Sequence, residues 1–187
     1  MGGCRSILLG RHTFEMFAPA WSQRTASDDP GAPFMNDSPK YVVARTSPPV
    51  EWRNSTMIGP YDAAAIGRLK EEVDGGIYVS GSGTLVRAML RDGQVDELHL
   101  FVFPIVVGSG PRLFADGASS KLELTACEAY TSGAVRLSIG WHHEGERGVV
   151  SDTRRIGPGV PGLEIAIVGR QNGDYYESAH RGANNSF

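Results

Sequence analysis

The chain is organised around one segment, Gly75-Gly76-Ile77-Tyr78-Val79-Ser80-Gly81-Ser82-Gly83-Thr84-Leu85-Val86. The apolar run at 77–79 predicts a short buried strand, and the serines and glycines at 80–84 predict a turn. Beyond the turn, four apolar residues share one helical face, and Gly93 follows as a stop signal; they are Leu85, Val86, Met89 and Leu90. The segment therefore predicts a strand, a glycine turn and a helix.

The start of this predicted helix is a candidate phosphate site. A helix start presents unpaired N–H groups and a partial positive charge, and both attract phosphate. Gly81 and Gly83 lack a Cβ, so a pyrophosphate can approach the backbone, and Ser82 and Thr84 can add hydroxyl donors. The turn matches neither a full dinucleotide fingerprint nor a P-loop. A plain tight connection therefore stays open as the alternative for this stretch taken alone.

Composition limits the class of protein. A length of 187 residues favours one domain, and 41% hydrophobic with 21% charged residues is typical of a soluble fold. The net charge of -3 and the lack of a basic stripe argue against a nucleic-acid partner. Two distant cysteines, Cys4 and Cys127, form no disulfide framework and favour a reducing, cytoplasmic location. No apolar run is long enough to cross a membrane.

Alternating signals along the chain predict an α/β architecture. Predicted strands lie at 7–9, 41–44, 55–58, 77–79 and 98–103, and helices are predicted to begin near 11, 62 and 85. Pro19 should limit the first helix, the polar stretch 22–40 is interpreted as loop, and Asp62 is a candidate helix cap. A β-hairpin is predicted across Ser132-Gly133. The order implies a largely parallel sheet covered by helices, with an antiparallel end.

Three basic or glycine-rich turns follow predicted parallel strands. They are Gly10-Arg11, Ala44-Arg45 and Ser80-Gly81. Ligands in such sheets bind at the carboxyl ends of the strands, so we expect these turns to converge on one ligand.

The composition changes after Ile139. Residues 140–187 are rich in glycine, arginine and polar side chains, and we expect most of them to be poorly ordered. Within them, 163–168 is the only segment suited to a strand, and we expect it to be an added edge strand.

Several motifs resemble one enzyme superfamily. Gly10-Arg11-His12-Thr13-Phe14-Glu15 is similar to the Gly-Arg-x-Thr-aromatic-Glu motif of dihydrofolate reductases. The segments 81–84, 96–104 and 108–110 resemble the reductase domain of riboflavin biosynthesis, the C-terminal part of the bifunctional deaminase–reductase RibD. The resemblance covers residues 4–139. It implies a three-layer dihydrofolate reductase-like fold for 1–139, with a mostly parallel central sheet and an antiparallel C-terminal hairpin. It also implies NADPH as cofactor and hydride transfer as chemistry.

The resemblance also implies roles for individual residues. The helix start at 11–13 would lie beside the NADPH phosphates, the strand end at 45–46 would face the 2′-phosphate, and the turn at 81–84 would hold the pyrophosphate. The implied cofactor-binding residues are Gly10, Arg11, His12, Thr13, Arg45, Thr46, Gly81, Ser82, Gly83 and Thr84.

The sequence departs from the family at its start. Family members begin with a strand and a covering loop upstream of the strand that contains Ile7-Leu8-Leu9, whereas this chain starts only three residues before that second family strand, which begins near residue 4. We therefore carry over no catalytic proton donor and regard the domain as N-terminally incomplete. An unpaired sheet edge beside the strand at 7–9 is the expected consequence. The histidines and cysteines lack metal-ligand spacing, so no metal site is predicted.

Two functions from different classes follow from these observations. The first is an NADPH-dependent reductase acting on a small heterocyclic or ribosylamino substrate, similar to 5-amino-6-(5-phosphoribosylamino)uracil reductase. The alternative is a catalytically inactive remnant that binds a nucleotide or dimerises, either through the expected free edge or through the apolar strand 98–103 as a homodimer contact.

Overall fold

The structure, a computed structural model, describes residues 3–106, 108–114 and 121–141, together with the backbone of 163–167, 170–171 and 174–175. In chain order the elements are β1 Cys4–Gly10, α1 Arg11–Trp21, α2 Ala32–Asp37, β2 Lys40–Val43, β3 Ser55–Met57, α3 Ala63–Glu72, β4 Gly76–Val79, α4 Gly83–Arg91, β5 Glu97–Val102, β6 Leu122–Ala129, β7 Val135–Trp141, β8 Leu163–Ile167, β9 Arg170–Gln171 and β10 Asp174–Tyr175. Among the described helices, none is long and apolar enough to cross a bilayer.

Eight of the strands form one sheet in the order β3-β2-β1-β4-β8-β5-β7-β6. The pairs from β3 to β5 are all parallel, whereas β7 is antiparallel to both β5 and β6. The predicted fold class, a mostly parallel sheet with an antiparallel C-terminal hairpin, is confirmed. β9 and β10 pair separately as a two-stranded sheet.

The core lies on both faces of this sheet, which gives three layers. Successive residues of a strand point to opposite faces. In β1, Ile7 and Leu9 pack with α1 and α2 in one buried cluster, while Leu8 packs with α3 and α4 in the other. The helices are therefore segregated in pairs, with α1 and α2 on one face and α3 and α4 on the opposite one.

Two local predictions on the first layer were wrong. Pro19 lies inside α1, which continues to Trp21. A proline this close to a helix end removes one backbone hydrogen bond, and Trp21 is buried on the same helix, which favours the last turn. The stretch 22–40 contains the helix α2, whose buried residues include Met35 and Asn36. These residues pack or bond in the core, so tertiary contacts outweigh the local loop signal.

Asn36 joins α2 to three neighbouring segments. Its side-chain amide donates to the carbonyls of Trp21 and Arg24 at 2.9 and 3.0 Å, and Trp52 Nε1 donates to its side-chain oxygen at 2.8 Å. The carbonyl of Asn36 accepts from Lys40 Nζ at 3.1 Å. This polar cluster fixes the position of the amino end of β2. It thereby also sets where Ala44 and the residues that follow it lie beyond the carboxyl end of the strand.

Predictions about strand positions were corrected in the second half of the sheet. The segment 163–167 is a central strand, since β8 pairs with β4 on one side and β5 on the other. The strand at 7–9 has no free edge, because β1 is flanked by β2 and β4. The apolar strand at 98–103 is buried only in its first half, whereas Val102 is 52% exposed. The order of the remaining residues of 140–187 lies outside the described residues.

Candidate functional site

The carboxyl ends of β1 and β4 meet in direct backbone contact. A Cβ built on Gly10 would lie 2.6 Å from Ser82 Oγ and 3.3 Å from the Ser82 backbone nitrogen. Only glycine permits this approach, because contacts under 3.0 Å require displacement of the neighbour. From β1 the chain turns towards β2, and from β4 it turns towards β5. The contact therefore lies where the connections diverge, the place where open α/β sheets bind ligands.

The third strand end is joined to the first through Arg11. Arg11 Nη1 donates to Thr46 Oγ1 at 2.5 Å, and Arg11 Nε donates to Glu15 Oε1 at 2.6 Å. Glu15 lies one helical turn beyond Arg11, so the pair is an i,i+4 ion pair of α1. The guanidinium is thereby held between α1 and the segment that follows β2, while its side chain stays 45% exposed.

The predicted phosphate turn is the start of α4. Ser82 is its N-cap, and Leu85 N donates to Ser82 Oγ at 3.5 Å. Gly81 adopts φ +92°, which favours glycine, and a Cβ there would lie 3.3 Å from Thr13 Oγ1. Thr13 is a buried residue of α1. The starts of α1 and α4 are thus adjacent, and both direct backbone N–H groups towards this edge of the sheet.

The structure brings together most of the predicted residues, although their cofactor roles stay a prediction. Contacts join the β1–α1 junction to the β4–α4 junction and to the segment after β2; the residues in these contacts are Gly10, Arg11, Thr13, Thr46, Gly81 and Ser82. The other four, His12, Arg45, Gly83 and Thr84, are exposed neighbours of these residues along the chain. Arg45 directly precedes Thr46, which bonds Arg11.

Arg87 is a charged residue at this site that sequence reasoning missed. Its Nη2 donates to Thr84 Oγ1 at 3.4 Å, and its Nη1 donates to the Arg112 carbonyl at 3.1 Å. A Cβ on Gly83 would lie 3.5 Å from Arg87 Nη1, so the guanidinium covers the first turn of α4. The i,i+3 spacing from Thr84 is readable from the sequence once the helix start is known.

The residues at the joined strand ends have side chains and helix starts that suit an anion. Arg11, His12 and Arg45 are exposed, and Glu15 is the acidic partner of one of them. Exposed guanidinium groups, helix starts and a close backbone approach are the features that suit a diphosphate. The residues present therefore fit a phosphorylated nucleotide. Within the described part of the chain, no cluster of His, Cys, Asp or Glu could hold a metal ion.

An open cavity of about 730 Å³ lies on the other side of α1 and β2 from α4. It is lined by Phe14, Val42, Trp52 and the loop at 47–53, among others. None of the ten predicted residues lines it, as far as the described residues show. Phe14 and Trp52 of its lining belong to the core cluster on the α1 face.

Comparison with known proteins identifies the family to which this chain is similar. The sequence profile of the RibD C-terminal domain matches residues 1–136. The Bacillus subtilis (strain 168) protein YyaP, uncharacterized, is 26% identical over 144 residues, which is 73% of this chain and 74% of YyaP. YwjB of the same organism, also uncharacterized, is 28% identical over 126 residues and 67% of each chain.

Solved structures agree on the fold. A Shewanella sp. PV-4 protein assigned to riboflavin biosynthesis superposes with a TM-score of 0.59 at 18% identity, over 75% of each chain. Acinetobacter baumannii RibD superposes with a TM-score of 0.54 at 16% identity, over 75% of this chain and 47% of RibD. At these identities the likeness concerns the arrangement of the backbone.

Proposed function

Because the chain belongs to the RibD C-terminal domain family, we propose that it is an NADPH-dependent reductase that transfers hydride to a small heterocyclic or ribosylamino substrate. The observation that carries the proposal is the meeting of three strand ends through the Gly10–Ser82 contact and the Arg11–Thr46 hydrogen bond. A crevice with two exposed arginines and two helix starts suits the charged half of a dinucleotide.

In this proposal each junction binds a different part of NADPH. The backbone N–H groups that follow Gly81 receive the pyrophosphate, which the missing Cβ atoms allow to approach. Arg11 donates to a phosphate oxygen and is held in place by Glu15, while Arg45 pairs with the 2′-phosphate. The reduced nicotinamide supplies the hydride, and the residues of this chain bind and orient it against the substrate.

The substrate class in this proposal rests on the relationship to the RibD C-terminal domain. We propose a ribosylamino pyrimidine such as 5-amino-6-(5-phosphoribosylamino)uracil, whose imine form accepts a hydride at carbon and a proton at nitrogen.

Titration with NADPH, followed by nicotinamide fluorescence, tests the cofactor. We expect saturable enhancement in the micromolar range. No saturable change at high micromolar NADPH would contradict the proposal. Oxidation of bound NADPH, followed by absorbance during incubation with ribosylamino pyrimidines, tests the reaction. Binding without oxidation across that series would support the inactive nucleotide-binding alternative.

Substitution of Arg45 tests whether this residue distinguishes NADPH from NADH. In Arg45→Ala we expect the preference for NADPH over NADH to fall roughly 10- to 100-fold, since hydrogen bonds to charged groups contribute about 1.5–3 kcal/mol. Arg45→Lys is the matched control, because it keeps the charge and loses only the forked geometry. NADH affinity should stay unchanged in both variants. An equal loss for both cofactors would place Arg45 outside the 2′-phosphate contact.

A further inference from the structure

β8 is the only described strand that joins the two halves of the sheet. It forms three register pairs with β4, from Ile77↔Leu163 to Val79↔Ile165, and four with β5, from Glu97↔Glu164 to Leu100↔Ile167. On one side lie β3, β2, β1 and β4, and on the other lie β5, β7 and β6. Among the described strands, no other ladder connects these groups.

The gap between β4 and β5 has to be filled by a segment that pairs with the backbone of both strands. All four residues of β4 are buried, and Leu98 and His99 of β5 are buried as well. A buried strand whose outer N–H and C=O groups have no partner costs about 1–3 kcal/mol for each such group. Pairing with both neighbours requires an extended segment, and β8 fills the gap parallel to β4 and to β5.

The connection to β8 does not by itself hold β8 in this gap. Glu97 of β5 pairs with Gly140 of β7 on one side and with Glu164 of β8 on the other. The end of β7 and the start of β8 therefore lie two strand spacings apart, about 10 Å. Between Trp141 and Leu163 the chain has 21 residues, whereas typical connections have about 4–6. Backbone pairing, rather than a short connection, determines the position of β8.

We propose that the gap between β4 and β5 is a binding site for an extended peptide, and that the chain's own segment Leu163–Ile167 is its ligand. The segment binds as a separable parallel strand, with both of its backbone edges paired, and completes the sheet. Leu-Glu-Ile-Ala-Ile supplies the β-branched and apolar residues that suit an interior position. Neither the cofactor nor turnover enters this proposal, so it stands or falls independently of the reductase function.

Disulfide trapping in the full chain tests the occupant. We choose Glu97→Cys with Glu164→Cys, because these register partners on adjacent strands lie about 5 Å apart at Cα, within the range for a disulfide. Cys4→Ser and Cys127→Ser remove the native thiols. The matched control pairs Glu97→Cys with Gln171→Cys, since Gln171 belongs to the separate β9–β10 sheet.

We expect near-complete disulfide formation within one chain for the 97–164 pair, and at least tenfold less for the control pair. Non-reducing electrophoresis and mass spectrometry of the linked peptides measure both. Equal yields in the two pairs would overturn the proposal. A disulfide that joins two chains would show that a second copy fills the gap, which would overturn the assignment of the chain's own segment.

Proline substitution measures the dependence of the sheet on β8. Ile165→Pro removes an N–H from a strand paired on both edges, and Gln171→Pro is the control in β9. We expect hydrogen exchange of β4 and β5 amides to accelerate at least tenfold in Ile165→Pro only, while β1 and β2 keep their protection. Unchanged exchange would overturn the proposal. If Ile165→Pro fails to fold, the disulfide yields, obtained without proline, decide the matter.

Discussion

Positively charged side chains lie at both ends of β2, buried at the amino end and exposed at the carboxyl end. At the amino end, Lys40 is fully buried, and its ammonium donates to the carbonyls of Asn36 and Ser38 at 3.1 and 2.8 Å and lies 4.7 Å from the Trp52 ring centroid. Beyond the carboxyl end, Arg45 is exposed, and Arg11 beside it keeps nearly half of its side chain in solvent.

This difference separates stability from binding along a single strand. A buried cation whose donors are used internally acts only within the fold, where its hydrogen bonds offset part of the cost of burying the charge, and it adds nothing for a ligand. Exposed cations contribute little to folding, because solvent screens them, but they remain able to pair with an incoming anion. Substitutions at the amino end should therefore change the free energy of unfolding, and substitutions at the carboxyl end should change cofactor affinity.

The largest effect is expected at Asn36. Asn36→Leu keeps the approximate volume but removes the acceptor of the buried Trp52 N–H and a donor to the carbonyls of Trp21 and Arg24, so we expect a loss of about 3–4 kcal/mol in unfolding free energy. Urea unfolding measures it. Asp37→Ala is the adjacent control, since it removes only an exposed ion pair to Arg53, and we expect a loss under about 1 kcal/mol. Similar losses in both variants would refute the buried role of Asn36.

Lys40 should make stability depend on alkaline pH. Burial, and then the nearby Arg53 charge, lower the pKa of Lys40 from 10.5 to about 8. Between pH 8 and 10.5 the unfolded chain binds more protons than the folded one, so the unfolding free energy contributed by Lys40 rises with pH. We expect a rise of about 3 kcal/mol across this window relative to Lys40→Met. Parallel pH profiles for the two proteins would contradict the burial of a charged Lys40.

The Gly10–Ser82 contact offers a sharper test at the carboxyl end. In Gly10→Ala the added Cβ meets Ser82, and we expect a cost of about 1–3 kcal/mol in stability together with weaker NADPH binding. Gly67→Ala is the matched control, because Gly67 lies in α3 with open space around it, and we expect a gain of up to about 1 kcal/mol. If Gly10→Ala were as stable as Gly67→Ala, the two strand ends would not be in contact.

The smallest expected effect separates two exposed arginines at opposite ends of β1. Arg11→Met should weaken NADPH binding roughly tenfold, the lower range for a hydrogen bond to a charged group, and leave the unfolding free energy nearly unchanged. Arg5→Met removes an exposed ion pair to Asp74 at the amino end, and we expect no change in affinity. Fluorescence titration of both variants measures the difference. If Arg11→Met and Arg5→Met bound NADPH with equal affinity, the two ends of β1 would not differ in their contribution to cofactor binding.

The sequence predicted the features that depend on local patterns. Glycine turns, the Asp62 cap and the hairpin at Gly133 have short-range causes, and the structure contains each of them. The three turns could be placed together because the strands before them were correctly predicted as parallel.

The features that could not be predicted depend on distant partners. Asn36 and Lys40 look like surface residues of a polar loop, and only Trp21, Trp52 and β2 make their burial possible. The guanidinium of Arg87 is held over the start of α4 by the carbonyl of Arg112, which is 25 positions away. The position of β8 has no local signature, since a five-residue, mostly apolar segment suits an edge or a centre equally, and pairing on both sides determines the outcome.

The late position of β8 in the chain has a consequence during protein synthesis. Residue 163 pairs with residue 77, which the ribosome has added 86 positions earlier. At about 5–20 residues per second, roughly 4–17 s pass between the synthesis of the two partners. During that interval the nascent chain contains an apolar strand, Gly76–Val79, whose backbone edge towards β8 has not yet been paired. The growing polypeptide therefore keeps this edge of Gly76–Val79 unpaired until Leu163–Ile167 is made.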